Sequence, residues 1–485
     1  MLRSMIAQKA AIGAGIAKAE AHRSAGDFPA AMQVLGALFQ AYPGDRDVLL
    51  ALARTGAAMG GKGEALALVE FGLQAHPADV ELRLEQAALL EQLDRAAEAE
   101  AALTRFAAGC NVPLPLLRLG YLQRRLLAYD RAMASAKALT ETHPSFSPGW
   151  ISRGISLYTA GDLAAAEVCF DTALALNPGD PVAEFSRGTC LLAGGRWREG
   201  FQGFAARRRF PDAVAAPAGL PETRGDERRL LLWNDQGLGD AIQFFRYVPL
   251  LRQSGHETVL VLPAALTRLA RSMPGIGPVL TQGDALPPLD AHLPMMDMPV
   301  LLGLDEIPAG VPYLTADPRA AAEWRGRFAA LPGLKVGLVW AGELRVSRFQ
   351  ITEMDRRRRV APGDFAPLLA VPGASFVSLQ FGAEPLPGTL GAMDEVTDFA
   401  DTAAIIEALD LVITVDTSVA HLAGALGKPV WVLSRHDGCW RWMRGRADSP
   451  WYPAARVFRQ TVPGDWAAVI AEVAASLGER IAARI

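Results

Sequence analysis

Four prolines place the strongest constraint on this chain. Pro43 and Pro77 are 34 residues apart, Pro144 and Pro178 are 34 apart again, and the 67 between Pro77 and Pro144 are close to two such steps. Small or turn-forming residues recur in phase at Gly26, Gly60, Asp94, Gly161 and Gly195. A fixed period of this length, with glycine between two helical patterns and proline after the second, reads as a stack of helical hairpins. One hairpin cannot bury its apolar face alone, so neighbours must stack into a curved solenoid. Roughly five to six copies fit over residues 20–210. The copy around Cys110 and Pro113 is degenerate.

The clearest copy carries Trp150, Gly154, Gly161, Ala166, Phe170, Ala173 and Pro178. At this spacing the region resembles the tetratricopeptide repeats. Gly154 and Ala166 are small where the two helices of a hairpin must approach closely. Phe170 fills the gap toward the next hairpin, and Pro178 stops the helix before it. Trp150 and Phe170 are therefore core positions. Solenoids of this kind commonly hold a peptide or protein on their concave face. A protein partner is the expectation for residues 1–210, with a spacer or dimerisation arm as the alternative.

Composition narrows the function classes. A chain of 485 residues supports two or three domains with substantial cores. Its net charge of −4 argues against a nucleic-acid binder. Cys110, Cys169, Cys190 and Cys439 show no CxxC spacing, which disfavours a zinc site or disulfide scaffold and fits a reducing cytoplasm. The segment 1–21 is interrupted by Lys9, Lys18 and Glu20 and reads as a helix, not a signal peptide. The uncharged run 365–383 is broken by Pro367, Pro372 and Gly373, so no membrane span is expected.

The helical period stops after Arg207-Arg208-Arg209, a basic run that reads as a solvated helix C-terminus. Residues 211–228, rich in proline and alanine, read as a linker. Apolar strands then alternate with helices: Leu230–Trp233, Thr258–Leu262, Val336–Trp340, Phe376–Gln380, Leu411–Val415, Val430–Leu433 and Val457–Phe458. This alternation predicts parallel, doubly wound sheets. The expected architecture is an α-solenoid over 1–210 followed by two Rossmann-like α/β lobes. The lobes span 229–314 (acceptor side) and 335–485 (donor side), with an interlobe connection at 315–334. The last helix, 465–483, is expected to pack back on the first lobe.

Ligands of doubly wound sheets sit beyond the carboxyl ends of the strands, and three loops stand there. In the first, Gln236, Gly237 and Gly239 allow close backbone approach to a ligand. Asp240, which ends this loop, fits either a helix cap or a general base removing a proton from an acceptor hydroxyl. In the second, Asp416, Thr417 and Ser418 open a helix whose exposed amides suit a diphosphate. His421 lies one turn inside that helix, and Asp416 reads as capping or holding the loop. In the third, Trp340 and Gly342 precede a polar loop ending in Arg356-Arg357-Arg358-Arg359. Of these four, Arg358 and Arg359 are the candidates to neutralise a leaving diphosphate. An Asp-x-Asp pair occurs only at Asp45/Asp47 in the repeat region, so a metal-dependent site is not expected and no cofactor is implied.

Together these loops resemble the family 9, heptosyltransferase-like glycosyltransferases, and more closely still the bacterial fusions of tetratricopeptide repeats with such an enzyme. The matching segments are LLLWNDQGLGDAIQFFRYVPLL (230–251), KVGLVWAG (335–342), FVSLQ (376–380), DFADTAAIIEALDLVITVDTSVAHLAGALGKPVWVL (398–433) and SPWYP (449–453). The resemblance implies a two-lobed GT-B fold and inverting, metal-independent transfer from a nucleotide-sugar. Asp240 then takes the place of the proposed base, and Asp416, Thr417 and His421 that of the donor-diphosphate motif. It also implies a protein acceptor, flagellin-like in some fusions, held by the repeats. A glycan or lipopolysaccharide acceptor and a non-catalytic scaffold are the alternatives. Two departures stand out: the loop 343–359 lacks lysine, and Asp437-Gly438-Cys439-Trp440-Arg441-Trp442 is aromatic where a glycine-threonine turn is usual.

Overall fold

A computed structural model of the chain describes residues 2–342 and 354–483. These residues divide into two compact units, Met1–Ser156 and Leu157–Ile485.

The helical part comprises α1 (Leu2–Ser24), α2 (Phe28–Ala41), α3 (Arg46–Ala58), α4 (Lys62–Ala75), α5 (Val80–Gln92), α6 (Ala96–Ala107), α7 (Pro113–Arg125), α8 (Tyr129–Thr142), α9 (Ser147–Ala160), α10 (Leu163–Leu176), α11 (Pro181–Ala193) and α12 (Trp197–Phe204). The 34-residue phase has a local cause. Each odd-numbered helix ends in a left-handed residue: Gly26, Gly60, Asp94, Leu127, Gly161 and Gly195 all have positive φ. A helix closing through such a residue turns the chain back on itself. Leu127 fills the phase position left blank in the sequence pattern, at the steric cost of a branched side chain there. Aspartates start the next helices. Asp45, Asp79 and Asp180 each follow Pro-x and accept bonds from the first-turn amides of α3, α5 and α11. Within the first unit, Leu50, Ala53, Val69, Leu82, Leu90, Leu103 and Leu122 form a continuous buried stripe, so consecutive hairpins share one core.

The second unit contains two parallel sheets. The first is β1 (Arg229–Trp233), β2 (Glu257–Leu262), β3 (Val279–Thr281) and β4 (Ala291–Pro294) in the order β3-β2-β1-β4. The second is β5 (Leu334–Val339), β6 (Ala374–Ser378), β7 (Leu390–Gly391), β8 (Leu411–Val415), β9 (Val430–Ser434) and β10 (Ala455–Arg459) in the order β10-β9-β8-β5-β6-β7. Their interior strands are mostly apolar, and Leu411–Val415 is buried along its whole length, because helices cover both faces. Chain order reverses between β1 and β4 in the first sheet and between β8 and β5 in the second. Adjacent crossovers leave such a point in opposite directions, which opens a crevice there.

Several expectations are corrected. The helix after β1, which the sequence pattern gives as one piece over Ala241–Gln253, is broken into Leu238–Phe244, a 3₁₀ turn Phe245–Tyr247 and Val248–Gln253, with Pro249 opening the last piece. The final helix, Trp466–Ala482, does not pack back on the first sheet. Its Trp466, Val469, Ile470, Val473 and Leu477 are buried with Leu334, Val336, Phe365 and Phe458 of the second.

The basic run Arg207–Arg209 is solvated only in part: Arg208 and Arg209 are exposed, whereas Arg207 is buried. Arg207 is 5% exposed. Its Nε and Nη2 donate to Asp235 Oδ2 at 2.9 and 2.6 Å, and Nη1 donates to Asp297 Oδ1 at 2.6 Å. Asp235 follows β1 and Asp297 follows β4, so this arginine sits at the reversal point of the first sheet. Arg208 pairs with Asp297 and Glu222, and Arg209 with Glu184.

Aromatic packing joins α12 to both sheets' loops. Phe201 meets Phe244 and Trp440 edge-on, each at 5.8 Å between centroids, and Trp197 meets Trp451 at 5.4 Å. The last helical hairpin is thus part of the α/β core.

Candidate functional site

Thr417 caps the helix Ser418–Ala425 beyond β8, and its side chain makes no capping bond. Its hydroxyl lies 3.0 Å from that of Thr414, which fixes the rotamer from within the strand. The first-turn amides therefore carry the partial positive charge of a helix start and suit an anion. Asp416 does not cap this helix. Its Oδ1 accepts from Trp442 Nε1 at 2.8 Å, and its backbone carbonyl accepts from Arg358 Nη1 at 2.8 Å. Burial pushes the Asp416 carboxyl up, but Arg358, His421 and the Trp442 bond outweigh it and hold the group below the ordinary carboxylate value.

His421 is buried. Its Nδ1 lies 3.0 Å from the Tyr452 hydroxyl, and its ring stacks on Trp442 at 5.4 Å. Burial, reinforced by the charge of Arg441, lowers its pKa from 6.5 to about 4. The imidazole is therefore neutral at pH 7, able to donate one hydrogen bond and accept another.

The β5 loop supplies the opposite wall of the crevice. The amides of Trp340 and Ala341 donate to Gln380 Oε1 at 3.1 and 2.9 Å, so a side chain at the end of β6 holds this turn. Gly342 is flush against Arg358: a Cβ there would lie 2.5 Å from Nη2. Arg358 also pairs with Asp355 at 2.7 Å. The third loop is thereby tied to the second across the reversal point of the sheet. Arg359 is exposed and is not brought into this group. Arg357 is: it reaches Asp437 at 3.2 Å, which Arg435 also holds at 2.7 Å. The segment 343–353, with the expected phosphate loop, lies outside the described residues.

The β1 loop meets this site from the first sheet. A Cβ on Gly239 would stand 2.9 Å from His421 Cδ2 and 3.1 Å from Ser418 Cα, so glycine permits two helix starts to touch. Asp240 Oδ2 accepts from the Gly237 amide at 2.9 Å, and Oδ1 is ion-paired with Arg441. Asp240 thus caps its helix, and the residue before it, Gly239, stands against Ser418 and His421. Gln236 is exposed, and its backbone carbonyl accepts from Asn234 Nδ2 at 2.9 Å.

Several residues here were not singled out from sequence. Arg441 donates to Gln243 Oε1 at 2.7 Å as well as to Asp240. Arg246 is enclosed by the rings of Tyr313, Trp451 and Tyr452 at 4.7, 5.3 and 5.1 Å. Arg459 donates to the Trp442 and Met443 carbonyls at 3.1 and 2.9 Å; burial, with Arg444 nearby, lowers its pKa to about 10. Arg357, Arg358, Arg435, Arg441, Arg444 and Arg459 share this region with Asp240, Asp355, Asp416 and Asp437. The cationic surplus suits a polyanion. Among the described residues, no group of three or more His, Cys, Asp or Glu is placed to hold a metal ion.

Comparison with known proteins agrees with both halves. Residues 13–55 match the tetratricopeptide repeat family, and residues 395–435 match glycosyltransferase family 9 (heptosyltransferase). A tetratricopeptide repeat and a segment of glycosyltransferase family 9 are thus matched within one chain, which supports a glycosyltransferase. It is 29% identical to Protein FlbA of Caulobacter vibrioides, over 83% of this chain and 73% of that protein. Among solved structures it is similar to PilW, a type IV pilus biogenesis factor, at 16% identity and a TM-score of 0.35, covering 41% of this chain and 92% of PilW. It is also similar to pilF of Pseudomonas aeruginosa at 13% and 0.35, covering 42% and 95%. YrrB, described as a TPR protein with an unusual peptide-binding site, matches at 16% and 0.29, covering 37% and 93%. Among the described residues, no helix is long and apolar enough to cross a membrane.

Proposed function

We propose that this glycosyltransferase is of the GT-B type. It moves a sugar from a nucleotide-sugar to a hydroxyl of a protein acceptor, with inversion and without a metal. The observation that carries the reading is the juxtaposition, through Gly239, of Asp240 on the first sheet with the Thr417–His421 helix start on the second. The diphosphate of the donor binds the amides of Thr417 and Ser418 and the side chain of Arg358. The acceptor oxygen attacks the anomeric carbon from the Asp240 side while the bond to the diphosphate oxygen breaks. The acceptor proton passes to Asp240, and the nucleoside diphosphate leaves with the bond electrons. Neutral His421 stabilises the leaving oxygens as a hydrogen-bond donor.

A protein acceptor, flagellin among the candidates, is supported by the arm. The first unit has a groove of about 460 Å³ lined by residues of α1, α2, α3 and α5 and by the cap Asp45, among them Ile12, Leu35, Leu50, Arg54 and Glu81. Mixed apolar and charged walls suit an extended peptide.

The test is a thermal-shift and donor-turnover panel of UDP-, GDP-, ADP- and CMP-sugars, on the wild type and on Asp240→Asn. One nucleotide is expected to stabilise the chain, and Asp240→Asn to bind it with transfer reduced on the order of 10²-fold or more. Absence of any nucleotide effect refutes the donor reading. Full transfer by the asparagine variant refutes the base.

A further inference from the structure

The aromatic segment 437–442, set apart in sequence as a departure from the heptosyltransferase pattern, contains an arginine that the transfer scheme does not use. We infer that Arg441 is a positioning residue for Asp240, supplied to the first sheet's loop from the second. The inference rests on the glycosyl-transfer reading.

The geometry has four parts. The guanidinium of Arg441 lies over the Trp440 ring at 4.3 Å. Trp440 is itself gripped by Phe201, Phe204 and Trp451. All three nitrogens of the guanidinium are directed at protein: Nε to Gln243 Oε1 at 2.7 Å, Nη1 to Cys439 Sγ at 3.2 Å, and Nη2 to Asp240 Oδ1. Gln243 is fully buried and stands one helical turn beyond Asp240, so the planar fork clamps two residues on one helix face. With Gly237 on its other oxygen, the carboxylate is held in one rotamer and its remaining lone pairs keep a fixed direction. The next residue, Trp442, bonds Asp416. One short segment therefore sets the position of the candidate base relative to the candidate donor loop.

This arrangement differs from that of a phosphate ligand. A phosphate-binding arginine presents a free edge, whereas Arg441 is 8% exposed and directs its donors at protein atoms.

The experiment uses the full chain and the donor found in the nucleotide-sugar panel. Arg441→Gln is expected to lower kcat on the order of 10²-fold, the effect of a misplaced reacting group. Donor KM and the Kd of the nucleoside diphosphate should stay within about threefold, since binding energy shared by ground and transition states is untouched. Arg441→Lys, which keeps the charge but loses the fork, should recover about tenfold of that loss. A weakened diphosphate Kd with unchanged kcat makes Arg441 a phosphate ligand and overturns the inference. A wild type that binds nucleotide and transfers nothing defeats the transfer reading instead. In that case the melting temperatures of Arg441→Gln, Asp240→Asn and the double variant still decide the pairing. A double variant no less stable than Arg441→Gln is expected, and strictly additive losses overturn it.

Discussion

Replacing Arg207 by methionine tests the claim that the last helical hairpin belongs to the α/β unit. Methionine keeps the length of the side chain and removes its charge. It leaves Asp235 and Asp297, 4% and 4% exposed, facing one another at the reversal point of the first sheet. Asp235 already has one oxygen without a hydrogen-bond partner, and burial raises its pKa despite Arg207. Stripping one partner from a buried ion pair costs about 3–5 kcal/mol. The entropy of unfolding is roughly 2.1 cal/mol/K per residue near 60 °C, so for a unit of about 330 residues that cost lowers its melting temperature by about 4–7 °C. The pH dependence gives an internal check. A carboxyl whose folded pKa lies above its unfolded value binds protons more tightly when folded. Its stability contribution therefore falls as pH rises from the unfolded pKa through the folded one. Losing Arg207 raises the folded value further, so the deficit of Arg207→Met is smaller at pH 4.5 than at pH 7.5. Differential scanning calorimetry at both pH values reads both effects. A shift below 1 °C at pH 7.5, or a deficit that grows on acidification, would refute the reasoning.

Three further outcomes follow from the site. His421 has a folded pKa of about 4 against 6.5 unfolded, so the unfolded chain binds the extra proton and stability is lost as pH falls from 6.5 toward 4. At about 1.4 kcal/mol per unit this amounts to about 3 kcal/mol at the acid end; His421→Gln should flatten that part of the melting profile, and an unchanged slope would count against it. Gly239→Ala places a Cβ within 2.9 Å of His421 Cδ2; the overpacking, about 1–3 kcal/mol, exceeds the helix-propensity gain of roughly 0.5–1 kcal/mol, so the variant should melt lower and transfer poorly, and a more stable, active alanine variant would contradict the close approach. Arg358→Gln removes a cation from the Asp416 carbonyl and the proposed diphosphate; nucleoside diphosphate affinity should drop about tenfold and lose part of its salt dependence by calorimetric titration, and an unaltered Kd would remove Arg358 from the site.

The repeat period was legible because its cause is local: a left-handed turn residue in each hairpin and, at three of the junctions between them, a proline followed by a capping aspartate. Strands such as Leu411–Val415 were legible because burial on both faces makes them almost wholly apolar. The short strands Val279–Thr281, Ala291–Pro294 and Leu390–Gly391 carry too few residues, and too mixed a composition, to stand out. Asp240, Asp416, Thr417, Ser418 and His421 were singled out because each lies in the loop or first helical turn beyond a strand. Arg441 was not, because its partners Asp240 and Gln243 lie about 200 positions away and nothing local marks the pairing. Arg207 was misread for the same reason: a charge cluster at a helix end is usually solvated, and only the fold brings Asp235 and Asp297 to it. Among the four consecutive arginines, sequence offered no way to prefer Arg357 over Arg359. The helical turn at 354–357 decides which of them face Asp416 and Asp437.

The aromatic contacts of Trp197, Phe201 and Phe204 also bear on how a chain of this type can be rebuilt. A hairpin that supplies core side chains to the transferase cannot be traded for a foreign repeat without leaving holes beneath Trp440 and Trp451. Upstream of α9 each hairpin needs only a matching neighbour, so whole repeats can be inserted, deleted or exchanged there in register. A graft made in the turn before α9 leaves every helix whole, whereas one made at the proline-rich stretch 211–228 cuts through the core of the transferase.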